Sequence, residues 1–303
     1  MKSGLRERIA SRLIEGSDMK LATRRDMALL ETVKLELLDN GLGQREKFVP
    51  HRMIGHAGFS LNRESQLAFL ASLADPEIQA LFNALRNDRD INTGFEGIDY
   101  RGHGLIHNGY FPTPDAELYA AMIWKTKPHR IIEVGSGYSA LIAKSTIRRL
   151  GGGCELLVID PEPRRNVEAV ADRVEYCRVE RSSLANLTLT DRTLLFIDSS
   201  HVCRRGGDLP FLYCRVLPML PAGVVIHVHD VFLPFDYPDN YVERFYTEQY
   251  LLHALLANNE KLEVLLANHY LGREHRSALQ TALGQRAGEQ PLFSGASFWM
   301  ISR

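Results

Sequence analysis

The 303-residue sequence predicts an α/β fold, a doubly wound and largely parallel sheet preceded by a helical N-terminal extension. Three observations lead there. Beyond residue 110, short continuous apolar runs alternate with stretches of helical period, as expected for strands covered by helices on both faces. Acidic residues gather at the ends of four of those runs. The first run also breaks into Gly-Ser-Gly before a helix-like stretch, IIEVGSGYSALIAKS over residues 131–145.

Leu29, Leu30, Val33, Leu35 and Leu37 recur at near-helical spacing, and Ser60-Leu-Asn-Arg-Glu64 offers a start signal for a helix through Leu73. A second helix fits Pro76 to Leu85, with proline tolerated in the first turn. Residues 1–109 thus read as an extension and linker that packs on the core or on a second subunit, which allows a homo-oligomer. The stretch from Asn92 to Pro114 is rich in Gly, Pro and aromatics and reads as a linker; His103 and His107 lie in it. Residues 110–303 form the second domain. Asp115 is placed to cap a helix to Lys125. Strands are expected at Arg130–Val134, Leu156–Ile159, Val174–Val179, Leu194–Ile197 and Gly223–His227. Helices are expected at Tyr138–Leu150, closed by three glycines, at Asp208–Leu220 and at Tyr241–Asn258. Two strand-like runs, LEVLLANHYL and ASFWMIS, end the sequence.

Composition excludes some functions. The formal net charge of -1 gives no reason to expect nucleic acid or an anionic membrane as partner. No apolar run approaches the roughly 20 residues of a membrane-spanning helix. The charged N-terminus lacks the apolar core of a signal peptide. Cys154, Cys177, Cys203 and Cys214 show no metal-finger spacing and read as free, mostly buried thiols of a cytoplasmic protein.

In a doubly wound sheet, ligands bind at the carboxyl ends of the strands. The residues there are Glu133 with the Gly135/Gly137 loop, Asp160, Asp198 with Ser199 and His201, and His229 with Asp230. Gly135-x-Gly137-x-x-Ala140, with Asp160 downstream, also satisfies the permissive dinucleotide pattern, so an NAD(P)-dependent oxidoreductase stays as an alternative. Glu133 speaks against it, because an anion there repels a pyrophosphate and suits a cationic ligand. A phosphate-cradling P-loop is excluded, since no Gly-Lys-Ser/Thr comes after the glycines.

EVGSGYS, VIDPEP, LLFIDSSH, AGVVIHVHDVFLP and the terminal FWMIS, in that order, resemble the motifs of class I S-adenosylmethionine-dependent methyltransferases, and the DSSH and HD pairs resemble a bacterial small-molecule branch of them. The resemblance covers about residues 110–303. It implies a Rossmann-like sheet of seven strands with an antiparallel last strand and S-adenosylmethionine as cofactor. Glu133, Gly135, Ser136, Gly137, Ser139, Asp160, Ser182 and Asp198 would be the cofactor-binding residues. It implies O-methylation of a small hydroxylated acceptor, a sugar, glycoside or natural product, with N-methylation as a variant. A non-catalytic cofactor-binding module is a further alternative. Two routes to the acceptor proton stand open. Asp198, His229 and Asp230 would hold a divalent metal, magnesium or, given the histidine, manganese, iron or zinc; or His201 or His229 would act directly as base, with Asp198 beside them. His227, alternating away from its neighbours along the strand, reads as a core residue, and Asp236, Tyr237 and Asp239 as a loop able to cover the acceptor.

Overall fold

The computed structural model describes residues 54–87, 108, 110–163, 166–186, 189–284 and 295–303. The chain divides into two compact units, Met1–Val49 and Pro50–Arg303, and all described residues lie in the second. The expectations for residues 29–37 and for His103 and His107 fall outside the described residues.

Two helices come first, α1 (Arg63–Ala71) and α2 (Pro76–Asn87), joined by a short 3-10 turn at Ser72–Ala74. Their apolar faces are not a separate layer. Leu70, Leu73, Ile78, Leu81, Phe82 and Leu85 are buried in the same cluster as strand residues Ile131, Leu156 and Leu194. The compact unit therefore reaches back to Pro50, and a boundary at residue 109 would cut through its core. Helix α1 also lacks the expected cap: Asn62 takes the N-cap position with a left-handed backbone, and its side-chain amide donates to the carbonyl of Val264 instead.

Next come α3 (Asp115–Thr126), β1 (Arg130–Val134), α4 (Tyr138–Arg149), β2 (Glu155–Ile159), β3 (Arg173–Glu175) and β4 (Thr193–Ile197). After them lie α5 (Asp208–Phe211), β5 (Val225–Val228), α6 (Glu248–Leu256), β6 (Leu262–Ala267), α7 (Asn268–Glu274), α8 (Arg276–Ala282) and β7 (Phe298–Ser302). The seven strands form one sheet in the order β3-β2-β1-β4-β5-β7-β6. The first five are parallel, and β7 runs antiparallel to both β5 and β6. This is the expected seven-stranded fold.

Alternation along the strands divides two cores between the sheet's faces. Ile131, Leu156, Leu194 and Phe196 pack on one side, and Ile132, Leu157, Leu195 and Ile226 on the other. A strand buried on both faces has no polar face to show, which is why these runs read as continuous apolar stretches.

Four elements differ from expectation. The third strand is short, and Val179 opens a 3-10 turn, Val179–Arg181, instead of closing a strand. The helix from Asp208 continues as a π-turn over Leu212–Val216 and a 3-10 turn over Leu217–Met219, where Pro218 cannot donate to an α-helical ladder. The long helix from Tyr241 is broken at Phe245, whose φ of 56° is left-handed, so a 3-10 turn, Asp239–Arg244, precedes α6. LEVLLANHYL is a strand only to Ala267, and its second half is α7.

The register is what places the site. Val134 pairs with Ile159 and with Ile197, and Ile197 pairs with Val228. Each ladder continues one bond further: Gly135 N–H donates to Ile159 O (3.0 Å), Asp198 N–H to Val134 O (2.9 Å) and His229 N–H to Ile197 O (2.9 Å). Gly135, Asp160, Asp198 and His229 consequently leave the sheet at one level.

Gly135 has φ +81°, and a Cβ on it would lie 1.9 Å from the carbonyl oxygen of Asp198. Gly135→Ala is expected to cost about 2–4 kcal/mol through strain and overpacking, read as a lowered denaturation midpoint at unchanged slope.

Candidate active site

The strand ends open into a cavity of about 850 Å³, lined at one end by Gly135, Ser136, Gly137, Ser139 and Asp160, and at the other by His201, His229, Asp230, Tyr241 and Arg244; Asp198 also lines it. Gly135 is required by the Asp198 carbonyl that crowds it. Gly137 meets nothing within 4 Å, so there the absent side chain leaves open space. The Asp160 carboxylate accepts from Ser136 Oγ (3.0 Å) and from Glu162 N–H (2.9 Å). Each oxygen has one internal donor, which fixes the carboxylate and leaves its other lone pairs for a ligand.

Glu133 lies behind this loop. It is fully buried and does not line the cavity. Its oxygens accept from Tyr119 Oη (2.8 Å) and Ser139 Oγ (3.0 Å). Burial pushes its pKa from 4.5 up to about 8, against the pull of those two hydroxyls. Among the expected contacts, Glu133 reaches the cavity only through Ser139. Ser182 is also not a lining residue. It caps a 3-10 turn, Ser183–Ala185, donating to Val179 O (2.7 Å) and accepting from Leu184 N–H; Arg178, Val179 and Glu180 line the cavity there instead.

At the other end, two histidines flank one carboxylate. His201 Nε2 lies 3.1 Å from Asp198 Oδ1, and His229 Nδ1 lies 3.6 Å from the same oxygen. Each ring is backed by a second, fully buried carboxylate. Glu248 Oε2 is 2.7 Å from His201 Nδ1, and its other oxygen accepts from Tyr213 Oη at 2.8 Å. Asp115 Oδ2 is 3.5 Å from His229 Nε2, close enough for charge attraction but not placed for a hydrogen bond. Asp115 is not the expected helix cap. It accepts from Asn268 Nδ2 (2.7 Å) and from the backbone N–H groups of Ala296 (2.8 Å) and Ser297 (3.2 Å).

These contacts decide the charges. Burial opposes the charge on both histidines, yet Asp198 and Glu248 outweigh it at His201, and Asp198 and Asp115 outweigh it at His229; both pKa values are held well above 6.5. Burial likewise opposes ionisation of Asp198, and the two histidines overcome it, holding its carboxyl far below the usual range. His227 is different. Burial, aided by the charge of His229, pushes its pKa well down, and its ring stacks on Trp299 at 3.7 Å. It is a core residue, as its alternation indicates.

Asp230 accepts from Tyr241 Oη (2.6 Å) and faces His201 Nε2 (3.6 Å) and Arg244 (3.8 Å). Asp198, His201 and Asp230 offer three ligand atoms within 4.8 Å of one another, the one group of such spacing among the described residues. The compact donor set thus contains His201 where the sequence suggests His229, which stands 3.6 and 3.8 Å from the two carboxylates. His201 and Asp230 both have left-handed backbones, at φ 58° and 55°, a conformation His and Asp tolerate better than most residues.

Sequence reasoning misses Asp115, Glu248, Tyr241 and Arg244, and it assigns the cover to Asp236, Tyr237 and Asp239, none of which lines the cavity. Asp236 accepts from Tyr250 Oη (2.6 Å), and Tyr237 is buried against Phe232 and Tyr241. Only the crowding of aromatics in YPDNYVERFY points this way. Cys203 and Cys214 are exposed, not buried as expected, and all four cysteines are free. No helix among the described residues is long and apolar enough to cross a membrane.

No protein-family model matches the chain. An uncharacterized protein of Archaeoglobus fulgidus is 40% identical over 58 residues, 19% of this chain and 26% of that protein, so only about a quarter of that relative's length is matched. A Podospora anserina methyltransferase bound to S-adenosylhomocysteine aligns with 93% of this chain and 98% of its own, at 15% identity and a TM-score of 0.41. The O-methyltransferase TomG of Streptomyces achromogenes, involved in tomaymycin synthesis and solved with S-adenosylmethionine, aligns with 75% and 95%, at 16% identity and a TM-score of 0.42. Likeness at this level does not assign chemistry.

Between pH 4.5 and 8 the buried Glu133 keeps a proton that the unfolded chain has lost, so its contribution to stability falls as pH rises through that window and levels off above it. Glu133→Gln is expected to flatten this slope by about 1 kcal/mol or more between pH 5 and 8, measured by urea unfolding at both values.

Proposed function

We propose that this protein is an S-adenosylmethionine-dependent methyltransferase acting on a small hydroxylated acceptor, with O-methylation as the preferred chemistry. The observation that carries the reading is the common level of Gly135, Asp160, Asp198 and His229 around one cavity, on a sheet whose β7 runs antiparallel between β5 and β6. A dinucleotide-binding sheet of order 3-2-1-4-5-6 shares the first five strands but not that insertion. Four of the five motifs of the sequence resemblance fall at those strand ends, and the fifth, FWMIS, is β7 itself.

The residues fit the cofactor. Asp160 has lone pairs left for a pair of ribose hydroxyls, the open space at Gly137 admits a ligand close to backbone, and Asp198 lines the same cavity. S-adenosylmethionine supplies an already activated methyl group, so the chain's task is to align the acceptor and take its proton. Glu248 engages Nδ1 of His201, so the proton exchanged with an acceptor would be the one on Nε2, which faces Asp198. The raised pKa of His201 makes its neutral form a strong base toward a hydroxyl but a minor form near neutral pH, so proton removal by this ring would grow as pH rises. Tyr213 in turn holds Glu248.

A divalent cation also fits the Asp198, His201 and Asp230 donors, and the imidazole favours manganese, iron or zinc over magnesium. It would lower the pKa of an acceptor hydroxyl. The exposed free thiols suit a cytoplasmic location.

Calorimetry with S-adenosylhomocysteine is expected to show micromolar binding that weakens at least tenfold in Asp160→Ala, roughly 1.4 kcal/mol. Failure of the wild-type protein to bind it, together with quenching of NADH or NADPH fluorescence, would move the assignment to the oxidoreductase class. Methyl transfer that survives exhaustive chelation at full rate assigns proton removal to a histidine, His201 or His229; loss of activity restored by manganese assigns it to the cation.

A further inference from the structure

The acceptor end of the cavity is built by two loops laced together at one residue. The first, after β4, carries His201 and Arg204; the second, between β5 and α6, carries Tyr241, Arg244 and Tyr246. Thr247 N–H donates to His201 O (2.8 Å), and Thr247 Oγ1 accepts from Cys203 N–H (2.8 Å). The ring of His201 lies 4.4 Å from that of Tyr246. His201 thus lines one cavity together with side chains of both loops.

The acids in this region are already engaged. Asp198 pairs with His201, Asp208 accepts from Ser200 through both N–H (2.8 Å) and Oγ (2.7 Å), and Asp230 accepts from Tyr241. The arginines are not spent in the same way. Arg244 lies with Cζ 4.3 Å from the centre of the Tyr241 ring and 5.7 Å from that of Tyr246, and the Tyr246 side chain also takes one of its hydrogen bonds, leaving the other N–H donors. Its nearest carboxylate oxygen, on Asp230, is at 3.8 Å, beyond a hydrogen bond, and its side chain is 47% exposed. Arg204 lines the cavity, and its side chain has no hydrogen bond, ion pair or ring contact among the described residues. A guanidinium stacked on an aromatic face keeps its in-plane N–H donors, which match the two oxygens of an anionic group.

We propose that the acceptor is an anionic hydroxylated ring compound, its charged group bound by Arg244 and Arg204, its ring against Tyr241 and Tyr246, and its hydroxyl turned to His201. This rests on the methyltransferase reading and narrows its substrate class. The arginines supply specificity: a neutral analogue leaves their donors to water and loses the charge-assisted bonds.

The test is calorimetry on protein saturated with S-adenosylhomocysteine, using matched probes: 3,4-dihydroxybenzoate against 3,4-dihydroxybenzyl alcohol, and glucuronate and glucose 6-phosphate against glucose. At least one anionic probe is expected to bind about tenfold or more tighter than its neutral partner, with affinity falling as salt rises. The aromatic and sugar pairs tell which ring is preferred; the last two anions tell carboxylate from phosphate. Arg244→Gln and Arg204→Gln are expected to erase the anionic preference while S-adenosylhomocysteine affinity stays within twofold, which also reports that the variants fold. Equal binding of neutral and anionic partners, no binding of any anionic probe, or a preference that survives both substitutions overturns the proposal. If S-adenosylhomocysteine itself does not bind, it is the underlying methyltransferase reading that fails.

Discussion

A carboxylate between two histidines sets the terms for the rest of this structure. Asp198 sits where β4 ends, and His201 and His229 approach the same oxygen. Two buried imidazoles against a carboxylate that is itself a third exposed would be costly to charge unless each charge were answered. The answer comes from Glu248 behind one ring and Asp115 behind the other. Neither of these carboxylates reaches the cavity. They hold the rings in place and let two imidazolium charges persist where water is scarce.

The sheet makes the arrangement possible. With Val134, Ile159, Ile197 and Val228 in register, the first residue after each of four strands emerges at one height. A slip of one residue in any ladder would turn its terminal side chain to the opposite face. Apolar residues packed on both sides resist such a slip, so the burial that stabilises the strands also aims the chemistry.

Much of the fold is legible in the sequence because period and punctuation are local. Continuous apolar runs mark the strands, and Gly135, Asp160, Asp198 and His229 stand out as the residues just past the end of each run. The methyltransferase resemblance anticipates the antiparallel pair, which no local signal encodes. What stays hidden is non-local. Glu248 falls inside the helix that the sequence suggests over Tyr241–Asn258, and only the fold brings it to His201, 47 residues earlier. Asp115 resembles a helix cap, and its real partners lie more than 150 residues on. Glu133 is conspicuous as an acid within an apolar strand, but its burial behind Ser139 depends on Tyr119, and no spacing rule connects those two. Ser182 shows the reverse error: a serine in the right interval that serves a turn.

The insertion of β7 between β5 and β6 has a kinetic consequence. Ala296 and Ser297, just ahead of that strand, give their amides to Asp115, and β7 separates two strands that precede it in the chain. Loop-closure entropy must be met before such distant pairings stabilise anything. The carboxylate behind His229 is held by partners 153 to 182 residues further along the chain, so completing its shell closes far longer loops than pairing β1 with β2 does.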